Sequence, residues 1–328
     1  MMNIGIIGCG RIARKMVATV KEMDNACIYA VAARSDEKAA AFAAEFGIEK
    51  HYGSYEELCK DTEVGLVYIA TPMNFHKEHM LLAIENGKAV LCEKSFTINA
   101  KEAEEVFEAA KKNNVFVAEA IWTRYMPSRR IINDIIRSGK IGQITTIAAN
   151  LGYKISEKER VQDPKLGGGA LLDIGVYPIN FALMAEEGKV LKSITGSAVK
   201  NELGCDYKDS ITLTFEDGAQ AVLFSDVTTN TDKKGFIYGT EGYIEVKNIN
   251  NPEAIYLYSG ERAPVLLEEY PIKHRITGYE YEVEEAIRAI EDGKLEADSM
   301  PFHETLRVMR IMDALRGIWD VKLGDELK

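Results

Sequence analysis

The run Gly8-Cys9-Gly10-Arg11-Ile12-Ala13 follows the strand-like Ile4-Gly5-Ile6-Ile7 and opens a helical pattern. A G-x-G-x-x-A turn in that context suits one ligand chemistry. The first glycine permits the tight turn, the second lets the backbone approach a pyrophosphate, and Ala13 lets helix and strand pack closely. The free N–H groups at the helix start, at Arg11 and Ile12, then hold the anion. Outside that context the same residues would be an ordinary glycine turn. Further on, the strand-like Ala26 to Ala33 ends in Arg34-Ser35. The Arg34 guanidinium pairs with a phosphate and stacks on adenine, and Ser35 adds a donor, which favours NADP. Asp36 close by would instead restore a preference for NAD, and Arg34 alone could be a solvated loop cation.

Two more polar clusters follow strand-like runs. Thr71-Pro72-Met73-Asn74-Phe75-His76 comes after Gly65 to Ala70, and Glu93-Lys94 after Lys88 to Cys92. Both would lie at the carboxyl ends of parallel strands, where ligands bind in an open α/β sheet. Beside a nicotinamide and a hydroxyl substrate, Lys94 orients the reacting oxygen and lowers the pKa of a neighbouring acid; elsewhere it is a surface cation. In the second half, Gly167-Gly168-Gly169-Ala170-Leu171-Leu172-Asp173-Ile174-Gly175-Val176-Tyr177-Pro178 places two polar side chains four residues apart. If helical, Asp173 and Tyr177 share a face, although a charge at a helix start and a core tyrosine explain them equally. Pro178 implies that the helix bends or starts late. His76 and His79 lack the acidic or cysteine partners of a metal site, so no metal is expected.

These residues need a scaffold. From residue 3 to about 120, short β-branched runs alternate with helical stretches over Arg11 to Glu22, Asp36 to Phe46, Lys77 to Glu85 and Ala100 to Lys112, the last capped by Asn99. That alternation predicts an α/β domain with a doubly wound parallel sheet of the Rossmann type. After Ala120-Ile121-Trp122 come one helix near Ser128 to Arg137, seven strand-like runs between Ile144 and Tyr258, and closing helices over Tyr279 to Glu291 and His303 to Trp319. The second half therefore reads as an α+β domain with a large open, predominantly antiparallel sheet. The expected division is 1–121 for dinucleotide binding and 122–328 for substrate binding and oligomerisation.

The 328 residues are 46% hydrophobic and 28% charged, which excludes disorder as the main state. A net charge of −11 without a basic patch opposes nucleic acid and anionic membranes as partners. The longest uncharged run, Ile141 to Tyr153, is too short and polar for a bilayer, which takes about 20 apolar residues. The N-terminus enters a strand directly and the five cysteines form no C-x-x-C pair, so a cytoplasmic protein with reduced thiols is expected.

Taken together, the glycine turn, Ala70-Thr71-Pro72 with Asn74 and His76, Glu93-Lys94, and Gly168 to Gly175 resemble the glucose-fructose oxidoreductase/inositol dehydrogenase (Gfo/Idh/MocA) family over nearly the whole chain. Glu119-Ala120-Ile121-Trp122-Thr123-Arg124-Tyr125, with tyrosine at 177 where many members have histidine, resembles the branch acting on trans-dihydrodiols and, with NADP, on xylose. The resemblance implies Lys94 as catalytic lysine, Tyr177 as acid/base, Asp173 as the carboxylate beside them, and Trp122 as an aromatic wall for the substrate. In such a mechanism Tyr177, ordinarily titrating near ~10, would need the Lys94 ammonium and the positive charge of oxidised nicotinamide to bring it towards working pH. Ser95 departs from the proline that usually follows Glu-Lys.

The expected activity is hydride transfer between NADP and a CH–OH group of a sugar or trans-dihydrodiol ring. An NAD-linked inositol or sugar dehydrogenase is one alternative, and a catalytically inactive nicotinamide-binding sensor, with Ser95 as its sign, is another. Strands such as Ile211 to Phe215 and Gln220 to Phe224 carry apolar residues on both sides, which predicts a homodimer or higher homo-oligomer through the second sheet.

Overall fold

The structure is a computed structural model that describes residues 1–327. Its strands are β1 (Met2–Ile7), β2 (Ala26–Ala32), β3 (Lys50–Tyr52), β4 (Leu66–Ile69), β5 (Ala89–Glu93), β6 (Val117–Ala120), β7 (Ile144–Gly152), β8 (Leu191–Lys200), β9 (Asp206–Phe215), β10 (Gln220–Asp226), β11 (Gly235–Gly239), β12 (Gly242–Lys247), β13 (Ala254–Ser259) and β14 (Leu266–Pro271). The helices are α1 (Arg11–Val20), α2 (Asp36–Phe46), α3 (Tyr55–Lys60), α4 (His76–Glu85), α5 (Ala100–Asn113), α6 (Pro127–Arg137), α7 (Glu159–Gln162), α8 (Val176–Ala185), α9 (Glu280–Glu291) and α10 (Phe302–Trp319).

The chain forms two compact units. The first is Met1–Tyr125 with His274–Arg307, and the second is Met126–Lys273 with the chain from Val308 onward.

In the first unit six strands pair in the order β3-β2-β1-β4-β5-β6, all parallel. Strands buried on both faces need continuous apolar sequence, and Ile4, Ile6, Ile7, Leu66, Val67, Ile69, Val90 and Leu91 are at most 1% exposed. The helices begin where side chains accept their first N–H groups: Ser35 from Lys38, Ser54 from Glu57, and Asn99 from Glu102 at 2.9 Å. β3 and α3 are additions to the expected pattern. β3 is only three residues long, and α3 is announced by Ser54-Tyr55-Glu56-Glu57, a serine cap with glutamate three residues on.

A single cut near residue 121 does not describe the units, because residues 274–307 return to the first sheet. β6 is its edge, and Val117 N–H donates to the Leu295 carbonyl at 2.9 Å. Phe302 stacks on Phe107 at 4.1 Å, and Thr305 donates to Glu119. Arg124, 1% exposed, pairs with Glu304 at 3.0 Å. An apolar helix face carries no label for the sheet it will cover, so sequence order alone assigned this segment to the second half.

The second unit holds an eight-stranded sheet, β14-β13-β12-β11-β7-β10-β9-β8, antiparallel except where β10 runs parallel to β7. α8 covers one face over β7, β10 and β11. β14 escapes period-two reading because Leu266-Leu267-Glu268-Glu269 does not alternate. Pro164–Ala185 is long and apolar enough to span a bilayer, its most apolar 18-residue stretch having mean hydropathy 1.3, yet 89% of that stretch is buried inside the protein. Its apolarity is that of a core segment with protein on all sides.

Removing Glu304 takes away the carboxylate that pairs with the buried Arg124 guanidinium at 3.0 Å. Glu304→Ala is expected to destabilise the fold by about 3 kcal/mol, read as a lowered urea midpoint at unchanged slope; an unshifted midpoint would show that the pair carries no stability.

Candidate functional site

The first unit's strand order reverses between β1 and β4: from β1 the chain proceeds outward to β2 and β3, and then returns to β4 on the other side. Loops leaving β1 and β4 therefore diverge and open a crevice. A cavity of about 400 Å³ lies there, lined by Gly8, Cys9, Gly10, Ala33, Arg34, Lys38, Tyr55, Ala70, Thr71, Pro72, Phe75, Glu78 and His79.

Gly8 has φ +105°, and a Cβ there would stand 2.9 Å from the Ala70 carbonyl oxygen, so only glycine lets the two loops approach. Gly10 is the N-cap of α1 with no side-chain cap, and a Cβ on it would meet only Ala70 O at 3.8 Å. The N-terminal N–H groups of α1, including those of Arg11 and Ile12, are left for an anion. Asn74 Oδ1 is buried with no hydrogen-bond partner. A bare helix start beside two glycines and an orphaned amide oxygen fit a dinucleotide's polar groups.

Arg34 and Lys38 are exposed cations on the lining, and Ser35 caps α2 through Oγ while its hydroxyl proton stays available to a ligand. Asp36 is not on the lining. Its carboxylate lies 3.6 Å from His51 Nε2 and its Cβ packs against Gly53. Lys38, Cys9, Tyr55 and His79 are lining residues that sequence reading did not pick out. Lys38 lies in the first turn of α2, four residues after Arg34, a spacing available in the sequence; Tyr55 is brought by α3. His79 accepts or donates to Thr71 Oγ1 at 2.9 Å, packs edge-on to Tyr55 at 4.5 Å, and is pushed by burial to a pKa of about 4.

His76 behaves differently from its neighbours in the Thr71–His76 loop. It is 1% exposed, with Nε2 2.9 Å from Thr71 O and Nδ1 3.0 Å from Ser95 O and 3.3 Å from Phe96 O. It is a strut behind the loop, with both nitrogens turned to backbone.

Lys94 stands half-buried just past β5, and the Lys94–Ser95 peptide is cis with Ser95 fully buried. Beneath it Glu93 accepts from the Tyr68 hydroxyl, and burial raises its pKa. Glu119, opposite Cys92 on β6, is raised by burial to about 7 and accepts from Thr305 and from the Phe96 N–H. Trp122 is 7% exposed and stacks on Tyr279 at 4.4 Å and 13°, so one face of the indole is covered by protein.

In the second unit, Asp173 lies in a π-helical turn, Leu171–Gly175, and Tyr177 is the second residue of α8. Pro178 therefore falls in the first turn of the α-helix, where its missing N–H costs nothing. Both side chains are mostly buried, at 8% and 9% exposure. Asp173 forms an ion pair with Arg160 of α7, a partner that no local spacing announces. The turn is seated on Asp206, whose Oδ2 accepts the Leu171 N–H at 2.6 Å and whose Oδ1 would be 2.3 Å from a Cβ on Gly169. Burial raises Asp206 to about 7. Among the described residues no group of three His, Cys, Asp or Glu side chains could hold a metal ion.

Residues 2–120 match the oxidoreductase family model with an NAD-binding Rossmann fold, and residues 130–245 match the GFO/IDH/MocA C-terminal domain. The chain belongs to the Gfo/Idh/MocA oxidoreductase family. Trans-1,2-dihydrobenzene-1,2-diol dehydrogenase of Xenopus tropicalis is 33% identical over 321 residues, covering 94% of this chain and 95% of that protein. D-xylose 1-dehydrogenase (NADP(+)) of Hypocrea jecorina is 33% identical over 297 residues, 81% of this chain and 76% of that one. In fold, a 3-ketoreductase of Actinomadura kijaniata solved with NADP and TDP-benzene superposes with TM-score 0.86 at 23% identity, covering 96% of this chain and 97% of that one. The Gfo/Idh/MocA assignment agrees with a parallel Rossmann sheet followed by a large open, mostly antiparallel one.

Proposed function

We propose that the protein is an NADP-dependent dehydrogenase that removes a hydride from a CH–OH group of a sugar or trans-dihydrodiol-type ring, and that the second unit binds the ring. The observation that carries the cofactor reading is the lining of the 400 Å³ cavity: Arg34 and Lys38 border it, while Asp36 is engaged with His51 and Gly53. Two cations facing a ribose favour a 2′-phosphate, whereas a carboxylate there would repel it. Gly8, Gly10, Arg11 and Ile12 hold the pyrophosphate, Arg34 and Ser35 the 2′-phosphate, and Thr71, Pro72, Asn74 and Glu93 line the nicotinamide side. The relatives that act on dihydrodiols and on xylose with NADP support the same class of reaction.

When bound, the dinucleotide supplies hydride acceptance. The chain's own groups handle the proton. Lys94 donates a hydrogen bond to the reacting oxygen and favours its developing negative charge. Tyr177, as the phenolate, takes the alcohol proton as hydride leaves and becomes the phenol. Asp173, paired with Arg160, holds the polar groups around that oxygen, and Trp122 forms an aromatic wall for the ring. Thr71 and Asn74 position the cofactor directly, and His76 serves behind them.

The same reading includes a homodimer through the second sheet. On the face opposite α8, Val222 and Phe224 are 52% and 43% exposed, and a row of aromatic contacts, two stacked and one tilted, runs from Phe236 through Tyr238 and Tyr243 to Tyr258. Such a flat apolar face is matched by a second copy of itself.

Three outcomes test this. Lys94→Ala and Tyr177→Phe should each lower kcat by ~10²–10⁴ with NADP affinity little changed, and activity retained in both would remove them from the chemistry. Arg34→Asp should weaken NADP binding by about 10–100-fold while affecting NAD far less, as expected for losing a charge-assisted phosphate contact; equal losses would place Arg34 away from the 2′-position. Sedimentation should give a dimer that Phe224→Asp dissociates, and a 36.5 kDa wild-type species would defeat the dimer.

A further inference from the structure

His76 bonds to both the cofactor loop and the segment that follows Lys94. Nε2 faces Thr71 O at 2.9 Å; Nδ1 faces Ser95 O at 3.0 Å and Phe96 O at 3.3 Å. All three partners are carbonyl acceptors. A neutral imidazole carries one N–H, so at any moment the ring donates to Thr71 or to the Ser95–Phe96 side and presents a lone pair to the other. We propose that His76 is a positioning residue that couples occupancy of the cofactor cavity to the placement of Lys94, its ring tautomer selecting which of the two backbone segments is held.

Both ends of the coupling are fixed to something. Thr71 lines the cavity, and its hydroxyl is tied to His79, which also lines it. A nucleotide bound in that cavity lies against Thr71, whereas Lys94 is not among the cavity's lining residues. At the other end, Phe96 N–H is held by Glu119, and Ser95 and Phe96 are fully buried, so a change at their carbonyls is not absorbed by solvent or by loose packing. Lys94 is the adjoining residue, half-exposed at the end of β5. His79 is a titratable neighbour that bears on the ring, and burial lowers both histidines to a pKa of about 4, so both are neutral at ordinary pH. The ring thus has two discrete arrangements within one geometry, which is what a coupling element requires.

The proposal rests on the cofactor reading above. The probe is 2′,5′-ADP, which fills the phosphate-binding part of the cavity and has no nicotinamide to touch Lys94. Its binding is measured calorimetrically, and the state of Lys94 is read as its rate of reductive methylation by mass spectrometry. In the wild-type protein, saturating 2′,5′-ADP should change that rate by about fivefold or more. It should also move the ring proton of His76 between nitrogens, seen in the imidazole ¹⁵N shifts. His76→Gln places an amide where Nε2 stood and nothing where Nδ1 stood, so it should keep 2′,5′-ADP binding and lose the Lys94 response. His76→Asn keeps the Nδ1 contact and should weaken 2′,5′-ADP binding while leaving Lys94 at its nucleotide-free rate.

Binding of 2′,5′-ADP to wild type with an unchanged Lys94 rate overturns the coupling while leaving the cofactor reading intact. A response that persists in a folded His76→Gln protein overturns it as well. No binding of 2′,5′-ADP at all removes the cofactor reading and the coupling together. Should the variants not fold, the wild-type comparison alone decides.

Discussion

Parallel pairing of β1 with both β2 and β4 is the constraint on which the first unit depends. Because neighbours on either side of β1 are reached by crossovers of the same hand, the connecting helices fall on opposite faces and the two loops at the carboxyl ends separate. The glycine turn and the Thr71 loop are those loops. Gly8 must lack a side chain because the Ala70 carbonyl is that close, and the close approach in turn exposes the bare start of α1. The crevice, its anion-binding N–H groups and its cationic rim follow from the order of three strands.

The residues around Lys94 and beneath Asp173 show how the protein spends burial. Glu93, Glu119, Glu282, Asp206 and Asp209 are all buried carboxyl groups whose pKa values are raised by loss of water. Each would be costly if left charged and alone, and four of them accept a hydrogen bond from a donor distant in the chain: Tyr68 for Glu93, Thr305 and Phe96 N–H for Glu119, Leu171 N–H for Asp206, and Ser225 for Asp209. These groups lie under the segments that carry the site residues, not in the solvent-facing layer. They fix backbone: Asp206 seats the π-helical turn of Asp173, as Glu119 and His76 seat the segment after Lys94. A buried polar bond resists displacement more than an apolar contact does, because its loss strands a polar atom.

Serine in place of proline at 95 illustrates the same economy. Its side chain is wholly buried, and the adjoining carbonyls are engaged by His76. The lysine therefore leaves β5 from a backbone held on both sides, and the sequence departure from Glu-Lys-Pro does not by itself mark a lost site.

What the amino-acid sequence determined by itself was everything encoded in short-range pattern. The strand-turn-helix at Gly8, the Arg34-Ser35 end of β2, the alternation that makes a Rossmann sheet and the Asn99 cap each depend on residues within a few positions of one another, and local backbone preference and periodicity suffice to read them. Lys94, Asp173 and Tyr177 were also legible as candidates, through motif context and family resemblance. Tertiary structure alone decided the rest, because it concerned residues distant in the chain whose meeting depends on packing. It assigned 274–307 to the first sheet, since an amphipathic helix shows that it must bury a face but not which one it will find. It turned His76 inward as a strut, drew Asp36 away to His51, covered one face of Trp122 with Tyr279, and gave Asp173 the partner Arg160. Each of these is a choice among chemically similar contacts separated by small free energies, and only the simultaneous close packing of the whole chain selects one.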